Sequence, residues 1–418
     1  MHIYFVGIGG TGLSPLAQLA LDCGYEVSGS DLQHSFGTDA VEKRNVSVNY
    51  HEDCDYLEKL HREKPVDYVV YTAACKPDDT ELLFAKINNI PFGKRDSFIN
   101  TFVEQKKLKM LAVAGTHGKT TTTAMAVWLF KQQNIPISYL IGSNISFGPA
   151  SHYQEESEYF IYEADEFDKN FLHYNPFISI ITNIDYDHPD TYPVKDDYYK
   201  AFDQFASQSK YVITWKNEDS KIKNTNRINF LERSLDSEIN LVGAHNRSNM
   251  TLALSLMQYV FGDLHNYTEM LEIANLFPGT QRRFEKISEN VYSDYAHHPT
   301  EIAATLQLAS ELSDKVVVVY QPHQNIRQHE IKALYKNCFT LATKVYWLPT
   351  YLSRENPQLA VLTPQELIFF VNNPEKIIES LLDDTLKQNL QKNHSEGDLI
   401  IGMGAGSIDQ WMRSNTNF

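Results

Sequence analysis

The chain has 418 residues, of which 42% are hydrophobic and 22% charged; this is typical of a globular protein too long for a single core, so two or three domains are expected. Its formal net charge of −16 disfavours a general binder of nucleic-acid polymers or anionic membranes, because such surfaces are basic. We predict a cytoplasmic protein without membrane insertion, because the four cysteines are widely spaced, no apolar run approaches the ~20 residues of a membrane span, and no signal-peptide pattern is present.

Residues 1–106 alternate between strand-like and helix-like segments. Strands are predicted over HIYFVGI, EVSGSD and DYVVYTAA, and a helix over SPLAQLALDCG between the first two. Such alternation predicts a parallel sheet with crossover helices. The polar stretch EQKKLK marks the end of this first α/β unit.

The first glycine-rich turn directly follows the first predicted strand. Gly7, Gly9 and Gly12 form a G-x-G-x-x-G pattern, and Asp31 ends the next strand. Glycines let the backbone approach a pyrophosphate, and an acid at the next strand end can accept ribose hydroxyls. The pattern fits NAD, FAD or a UDP-sugar, and it also fits a tight turn that simply needs small residues.

The sequence GTHGKTTTT at residues 115–123 is the most informative motif. It lies between a predicted buried strand, LKMLAVA, and a predicted helix over residues 121–131. A glycine-rich turn at a helix start presents backbone N–H groups and the helix dipole to a phosphate. Lys119 offers a charge to the β- and γ-phosphates, and Thr120 offers a hydroxyl to Mg²⁺. A nucleoside triphosphate is therefore the predicted ligand, although Val113 stands where such loops usually begin with glycine.

Polar residues follow the next two predicted strands of this second unit. Glu163 ends the strand YFIYE, and His188 follows the strand FISIITN. Ligands of open parallel sheets gather at the carboxyl ends of the strands, so both side chains are expected beside Lys119. Oxygen donors near phosphates hold Mg²⁺, and a histidine ligand would also suit Mn²⁺. The simpler alternatives are a solvated strand end and a hydrogen-bonded structural histidine.

The rest of the chain predicts further elements and a third α/β unit. A helix is expected over residues 197–207, an irregular polar region over 216–240, a helix after His245, and a linker at 277–279. From about residue 280, strands are predicted over VYSDYA, KVVVVYQP, KVYWLPT and DLIIGM, with helices between them.

Several polar residues in this region have both a functional and a structural interpretation. His245 and Asn249 either contact an adenine or cap a helix, and Arg283 either clamps a γ-phosphoryl group or lies on a solvated surface. Other candidates follow the strands of the third unit: Asp294, Tyr295, His297, His323 and Arg327.

The ordered set GIGGTGLS, SGSD, GTHGKTTTT, EADE, TNIDYDH, HNRSN, RRFE, DYAHHPTE and QPHQNIR resembles the Mur ligase family, the ATP-dependent amide ligases of peptidoglycan precursor synthesis. The resemblance implies three α/β domains: a Rossmann-like UDP-sugar-binding domain over 1–106, a central P-loop-type ATP-binding domain over 107–277, and a Rossmann-like amino-acid-binding domain over 278–418.

The resemblance also implies substrates and site residues. ATP, Mg²⁺, UDP-N-acetylmuramate and an amino acid are expected, and GIGGTGLS and DYAHHPTE favour L-alanine. The expected UDP-sugar residues are Gly9, Gly10, Thr11, Gly12, Ser14 and Asp31. The expected ATP residues are Gly115, Thr116, His117, Gly118, Lys119, Thr120, Thr121, His245, Asn249, Arg283, Asp294 and Tyr295. The expected metal ligands are Thr120, Glu163 and His188, and the expected catalytic residues are Lys119, His297, His323 and Arg327.

Three other functions fit parts of this sequence. Phe167 replaces the serine expected after EADE, which favours a relative that attaches a recycled tripeptide to the same nucleotide sugar. A nicotinamide-dependent dehydrogenase would use only the first loop, and a catalytically silent nucleotide-binding protein would need no polar strand ends. A monomer or a dimer is expected.

Overall fold

The computed structural model describes residues 1–51, 53–72, 74–76, 78–188, 191–223, 227–232, 234–235, 237–262, 266–353 and 355–416. It contains three mainly parallel β-sheets with connecting helices, which confirms the predicted three-domain α/β fold. The chain groups into two compact units. Unit 1 consists of Met1–Ser234 and Asn249–Leu276, and unit 2 of Leu235–Ser248 and Phe277–Phe418.

The first sheet of unit 1 has five parallel strands in the order β3-β2-β1-β4-β5. Its strands are β1 (His2–Val6), β2 (Glu26–Ser30), β3 (Ser47–Asn49), β4 (Tyr68–Tyr71) and β5 (Phe92–Lys94). Its helices are α1 (Ser14–Asp22), α2 (Phe36–Glu42), α3 (Asp55–Glu63), α4 (Thr80–Ile87) and α5 (Arg95–Lys106). Strand β1 is central and fully buried, so the loop after it opens where the strand order reverses, the usual ligand position in such sheets.

The second sheet of unit 1 has seven strands in the order β12-β11-β10-β6-β9-β7-β8, and only β7 and β8 pair antiparallel. Its strands are β6 (Lys109–Ala114), β7 (Ile137–Leu140), β8 (Ser151–His152), β9 (Tyr159–Glu163), β10 (Ile178–Ile181), β11 (Tyr211–Trp215) and β12 (Ile228–Leu231). The helices that follow are α6 (Lys119–Gln132), α7 (Lys195–Gln208), α8 (Ala244–Phe261) and α9 (Tyr267–Asn275). Strand β6 lies between β10 and β9, so three strand ends surround the turn that follows it.

One prediction about this region was wrong. The segment Ile228–Leu231 lies inside the stretch expected to be irregular, yet it forms the parallel edge strand β12 beside β11. Its side chains are only partly buried or exposed. An edge strand of this kind carries little hydrophobic pattern, because its hydrogen bonds to the neighbouring strand define it.

The sheet of unit 2 has six strands in the order β13-β14-β18-β15-β16-β17, with only β13 and β14 antiparallel. Its strands are β13 (Glu285–Ser288), β14 (Val291–Asp294), β15 (Val316–Tyr320), β16 (Lys344–Trp347), β17 (Ile377–Glu379) and β18 (Leu399–Met403). Its helices are α10 (Pro299–Ser310), α11 (Asn325–Ile331), α12 (Pro364–Ile368), α13 (Asp384–Ser395) and α14 (Ile408–Asn415). The four strands predicted here are confirmed. In the described part of the chain, no helix combines the length and apolar character needed to cross a bilayer.

Candidate active site

The turn between β6 and α6 is built on two glycines that tolerate no side chain. Gly115 has φ +135°, and a Cβ placed there would lie 2.0 Å from Thr182 Oγ1. Gly118 has φ +81°, and a Cβ there would lie 2.9 Å from Asn249 Oδ1. Only glycine adopts such backbone conformations without strain. The structure therefore brings three predicted ATP residues, Gly115, Gly118 and Asn249, into one tightly packed turn.

The same turn is bound to the strand end after β10. Thr116 Oγ1 donates to Asp185 O at 2.6 Å, and His117 N donates to Asn183 Oδ1 at 3.0 Å. Thr121 follows, buried, in the first turn of α6. These contacts fix the loop before any ligand arrives, which is the preorganisation that phosphate binding at a helix N-terminus requires.

Lys119 has three partners inside the protein. Its Nζ donates to Gly115 O at 2.7 Å and to Thr116 O at 3.2 Å, and it lies 2.7 Å from Glu166 Oε2. Burial opposes the charge of Lys119, but Glu166 and Asp165 outweigh it, and the pKa of Lys119 is raised. The charged ammonium form is therefore favoured, and it is held at the loop.

Glu166 is a site residue that the sequence did not single out. Its side chain is fully buried, and burial raises its pKa to about 7 even though Lys119 acts in the opposite direction. His188 Nε2 lies 3.7 Å from Glu166 Oε1, so the carboxylate faces two predicted site residues. The only sequence signal was a second acid three positions after Glu163 in EADE.

The three predicted metal ligands lie around the same strand ends. Thr120 Oγ1 donates to Glu163 Oε1 at 2.8 Å, and Glu163 Oε2 accepts from Gly142 N at 2.7 Å. His188 has φ +56°, and its ring lies 5.2 Å from that of Phe167. Hydroxyl and carboxylate oxygens are the donors that hard divalent cations prefer, and each retains a further lone pair. The residues present thus fit a divalent cation, with His188 held nearby by Phe167 and Glu166.

The glycine-rich loop after β1 is bound by the carboxylate of Asp31, which directly follows β2. Gly9 N donates to Asp31 Oδ2 at 2.8 Å, and Ser14 Oγ donates to Gly37 O at 2.9 Å. One oxygen of Asp31, expected to face a ribose, is therefore already engaged by the loop. The other predicted residues of this loop are Gly10 and Thr11, both exposed at its tip, and half-buried Gly12.

Unit 2 brings the predicted catalytic residues of the third domain into one cluster. An N–H of Arg327 Nη1 donates to His297 Nε2, and His297 Nδ1 lies 3.0 Å from Tyr295 O. Since Arg327 can only donate, Nε2 must accept and Nδ1–H must donate to Tyr295 O. The rings of His297 and His323 lie 6.0 Å apart, and His323 stacks on Tyr351 at 5.8 Å.

The other candidates in unit 2 surround the strand end of β14. Both oxygens of Asp294 accept backbone N–H bonds, from Ala296 and from Phe284, at 2.7 Å each. Burial raises the pKa of Asp294 to about 6, and its contacts are those of a structural anchor. Arg283 lies 5.1 Å from the centre of the Tyr295 ring.

His245 lies at the start of α8, whose residues up to Ser248 group with unit 2 and whose remainder groups with unit 1. Burial and, to a smaller extent, the charge of Arg283 lower its pKa to about 4. His245 is therefore neutral at pH 7.

Comparisons with known proteins agree with this arrangement. The model described as Mur ligase family, catalytic domain, matches residues 2–107; that of the Mur ligase middle domain matches 113–232; that of the Mur ligase, glutamate ligase domain, matches 282–406. The UDP-N-acetylmuramate--L-alanine ligase of Clostridium botulinum strain Langeland is 31% identical, over 97% of this chain and 95% of its own length. The enzyme of that name from Desulfitobacterium hafniense strain Y51 is 30% identical, over 98% of both chains.

Two solved structures share the fold. The UDP-N-acetylmuramate-alanine ligase of Thermotoga maritima has a TM-score of 0.74 and 24% identity, covering 100% of this chain and 98% of its own. A murein peptide ligase of Psychrobacter arcticus 273-4 has a TM-score of 0.64 and 22% identity, with the same coverage.

A phosphate loop in the middle of three α/β domains, together with these matches, defines an ATP-dependent amide ligase that uses a divalent cation. The chain belongs to the Mur ligase family. The dehydrogenase and the catalytically silent protein are therefore set aside as alternatives.

Proposed function

We propose that this chain joins L-alanine to UDP-N-acetylmuramate at the expense of ATP, in the cytoplasm, as a step of peptidoglycan precursor synthesis. The observation that carries the proposal is the cluster of Lys119, Thr120 and Glu163 at the ends of β6 and β9. Relatives with that printed activity match nearly the whole chain.

The proposed reaction has two steps, phosphoryl transfer to the sugar acid and attack by the amine. A carboxylate oxygen of the sugar acid attacks the γ-phosphorus, the bond to the β,γ-bridging oxygen breaks, and ADP leaves with the electron pair. The amine of alanine then adds to the acyl-phosphate carbon, the C–O bond breaks, and inorganic phosphate leaves. The amine gives up a proton to a base. Phosphorylation is needed because a free carboxylate has no good leaving group.

The loop residues supply positioning and charge in the first step. Lys119 neutralises the transferring phosphoryl group, and the backbone of Gly115–Gly118 orients it. Mg²⁺, when bound by Thr120 and Glu163 with His188 close by, would supply further charge neutralisation on the phosphate oxygens. Exclusion of water from these groups would protect the acyl phosphate from hydrolysis.

The cluster in unit 2 supplies the second step. Arg327 is suited to hold the carboxylate of the amino acid through two N–H bonds. Of the two histidines proposed as base, His297 has its Nε2 lone pair engaged by Arg327, so it accepts the amine proton only when Arg327 moves to the substrate. His323, whose ring lies 6.0 Å from that of His297, is the second candidate.

We assign the UDP-sugar site to residues 1–106, the ATP site to 107–277 and the amino-acid site to 278–418. Asn249, packed against Gly118, and His245 are proposed to contact the adenine, together with Arg283 and Tyr295 near the phosphates. Asp294 is better explained as the anchor of its own turn.

One assay tests the proposal. The chain is mixed with ATP, Mg²⁺ and UDP-N-acetylmuramate, and phosphate release is compared with L-alanine, glycine, L-serine and the recycled tripeptide. We expect release to require the sugar nucleotide, to be fastest with L-alanine and to stop when EDTA removes the cation. Faster release with the tripeptide would establish the alternative substrate, and no release with any amine would sink the proposal.

A further inference from the structure

Arg95 lies against the glycine-rich loop of the first domain. It is the first residue of α5, directly after β5, and it is half-buried. A Cβ placed on Gly12 would lie 3.0 Å from Arg95 Nη1 and 3.5 Å from its Cδ. The guanidinium group therefore occupies the space beside Gly12, in the loop that is proposed to hold the sugar nucleotide.

The other neighbours of Arg95 come from the end of β9. The ionisable groups that act on it are those of Tyr162, Tyr174, Asp165 and Glu163, and together they raise its pKa. Tyr162 and Tyr174 bind each other through their hydroxyls at 3.1 Å, and Glu163 is engaged by Thr120 and Gly142. Arg95 thus lies beside Gly12 and within electrostatic reach of the carboxylate that is proposed to bind the cation.

The N–H donors of Arg95 are not engaged by the part of the chain that the structure describes. Among the described residues, no group forms a hydrogen bond or an ion pair with its guanidinium. A guanidinium carries five N–H donors and cannot lose its charge. The charges of Asp165 and Glu163 favour the guanidinium form without binding its N–H groups, so these donors remain available to an anionic ligand.

We propose that Arg95 binds the carboxylate of the sugar acid and holds it in line with the γ-phosphate of ATP. This inference rests on the proposed function. The planar fork of an arginine matches a carboxylate through two parallel N–H bonds. One carboxylate oxygen then forms the bond to phosphorus, and the other remains against Arg95 as the carbonyl oxygen of the acyl phosphate.

The same contact serves the second step. When the amine adds to the acyl carbon, the carbonyl oxygen takes up negative charge before phosphate leaves. A positive donor already in contact with this oxygen stabilises that charge without reorganising. Arg95 is therefore assigned as a catalytic residue that touches the reacting group throughout.

A pair of nucleotides separates carboxylate binding from binding of the diphosphate. UDP-N-acetylmuramate carries the lactyl carboxylate, and UDP-N-acetylglucosamine lacks it. Calorimetry on the whole chain should show about tenfold or greater preference for UDP-N-acetylmuramate, and Arg95→Met should abolish that preference. Affinity of the variant for UDP-N-acetylglucosamine should stay within about twofold of the unmodified chain. Arg95→Lys should keep part of the preference, because it retains the charge but loses the fork.

The matched control is Arg62→Met on α3, in the same domain, whose guanidinium is exposed and pairs with Glu58 at 2.7 Å. It should leave both affinities unchanged. Equal loss of both affinities in Arg95→Met, or retention of the preference, would overturn the assignment of Arg95. Where Arg95→Met fails to fold, Arg95→Lys decides by the same comparison. Failure of the unmodified chain to release phosphate with UDP-N-acetylmuramate would instead overturn the proposed function, and the assignment of Arg95 with it.

Discussion

Lys119 is held by two loop carbonyls and by Glu166, so its ammonium group already lies where phosphate oxygens are expected. We predict that Lys119→Met lowers kcat by roughly 10³-fold, because charge neutralisation of the phosphoryl group is lost. Binding of UDP-N-acetylmuramate should be largely intact. Steady-state kinetics and calorimetry test both statements.

The control is Lys131→Met at the far end of the same helix, where the ammonium binds Phe147 O at 3.1 Å. It should leave kcat within about twofold. ADP formation at a normal rate in Lys119→Met would show that the phosphate loop has been assigned wrongly.

His245 makes stability depend on pH. Its pKa is about 4 in the folded protein and about 6.5 in an unfolded chain, so the unfolded state takes up the proton first. The folded pKa is depressed, and the free energy of unfolding therefore falls as the pH drops from about 6.5 towards 4. Between pH 7 and pH 5, we predict that the free energy of unfolding falls by about 2 kcal/mol less in His245→Gln than in the unmodified chain.

Urea unfolding at the two pH values measures this difference. The exposed His51, replaced by Gln, should change the pH dependence little. Identical pH dependence in His245→Gln and the unmodified chain would contradict the burial of a neutral imidazole at this position.

At the scale of elements, the phosphate loop depends on the backbone of Gly115. We predict that Gly115→Ala lowers the melting temperature and abolishes detectable ATP binding. Alanine at this position would have to adopt φ +135°, which is strained for any residue with a Cβ. Its Cβ would lie 2.0 Å from Thr182 Oγ1, so the strand end after β10 would have to move. Thermal melting and calorimetry with ATP provide the measurements.

Gly397→Ala separates the two causes of this loss. Gly397 has φ +81° but no atom within 4 Å of an added Cβ, so only the cost of the left-handed backbone applies, about 1 kcal/mol. An equal loss of stability in both variants would show that the contact with Thr182 is unimportant.

The elements that could be predicted from the sequence are those that carry their own pattern. Strand β6, the turn at Gly115 and helix α6 combine an apolar run, glycines and helical spacing in one short segment. Strand β12 has no such pattern, because pairing with β11 defines it. The left-handed residues Asp168 and Lys169, just after EADE, likewise have no glycine or other local signal that predicts their conformation.

The site was predictable to the same degree. The order of motifs places Glu163 and His188 beside Lys119, and the structure brings them together there. The partner of Lys119 could not be predicted, because Glu163, Asp165 and Glu166 all follow the same strand and the sequence does not show which carboxylate binds the ammonium group. The hydrogen bond from Gly9 N to Asp31 could not be predicted either, because the sequence does not show whether a carboxylate is free or already bound.

At the scale of the whole molecule, the segment Leu235–Ser248 belongs to unit 2, and an ion pair connects it to the residue that follows α10. Arg247 binds both oxygens of Glu311 at 3.0 Å, and Glu311 also accepts from Gly243 N at 3.0 Å. We predict that Glu311→Gln speeds hydrogen exchange at Gly243 and Ala244 by about tenfold, since the clamp holding the segment against α10 weakens.

Hydrogen exchange followed by mass spectrometry measures this prediction. Glu375→Gln, at an exposed position of the same unit, is the control and should leave the segment unchanged. Unaltered exchange in Glu311→Gln would show that packing of Gly243 on Leu308 suffices to hold the segment.

The pairing of Lys119 with Glu166 has a consequence for the empty enzyme. A protein of net charge −16 carries a cation at its nucleotide loop, and that cation is already matched by an internal counter-anion. Small anions such as free phosphate must compete with this carboxylate for the same ammonium group, and they lack the further contacts that a nucleotide makes. A nucleotide carries several negative charges and a bound metal ion, so it can displace the Glu166 carboxylate from the Lys119 ammonium group.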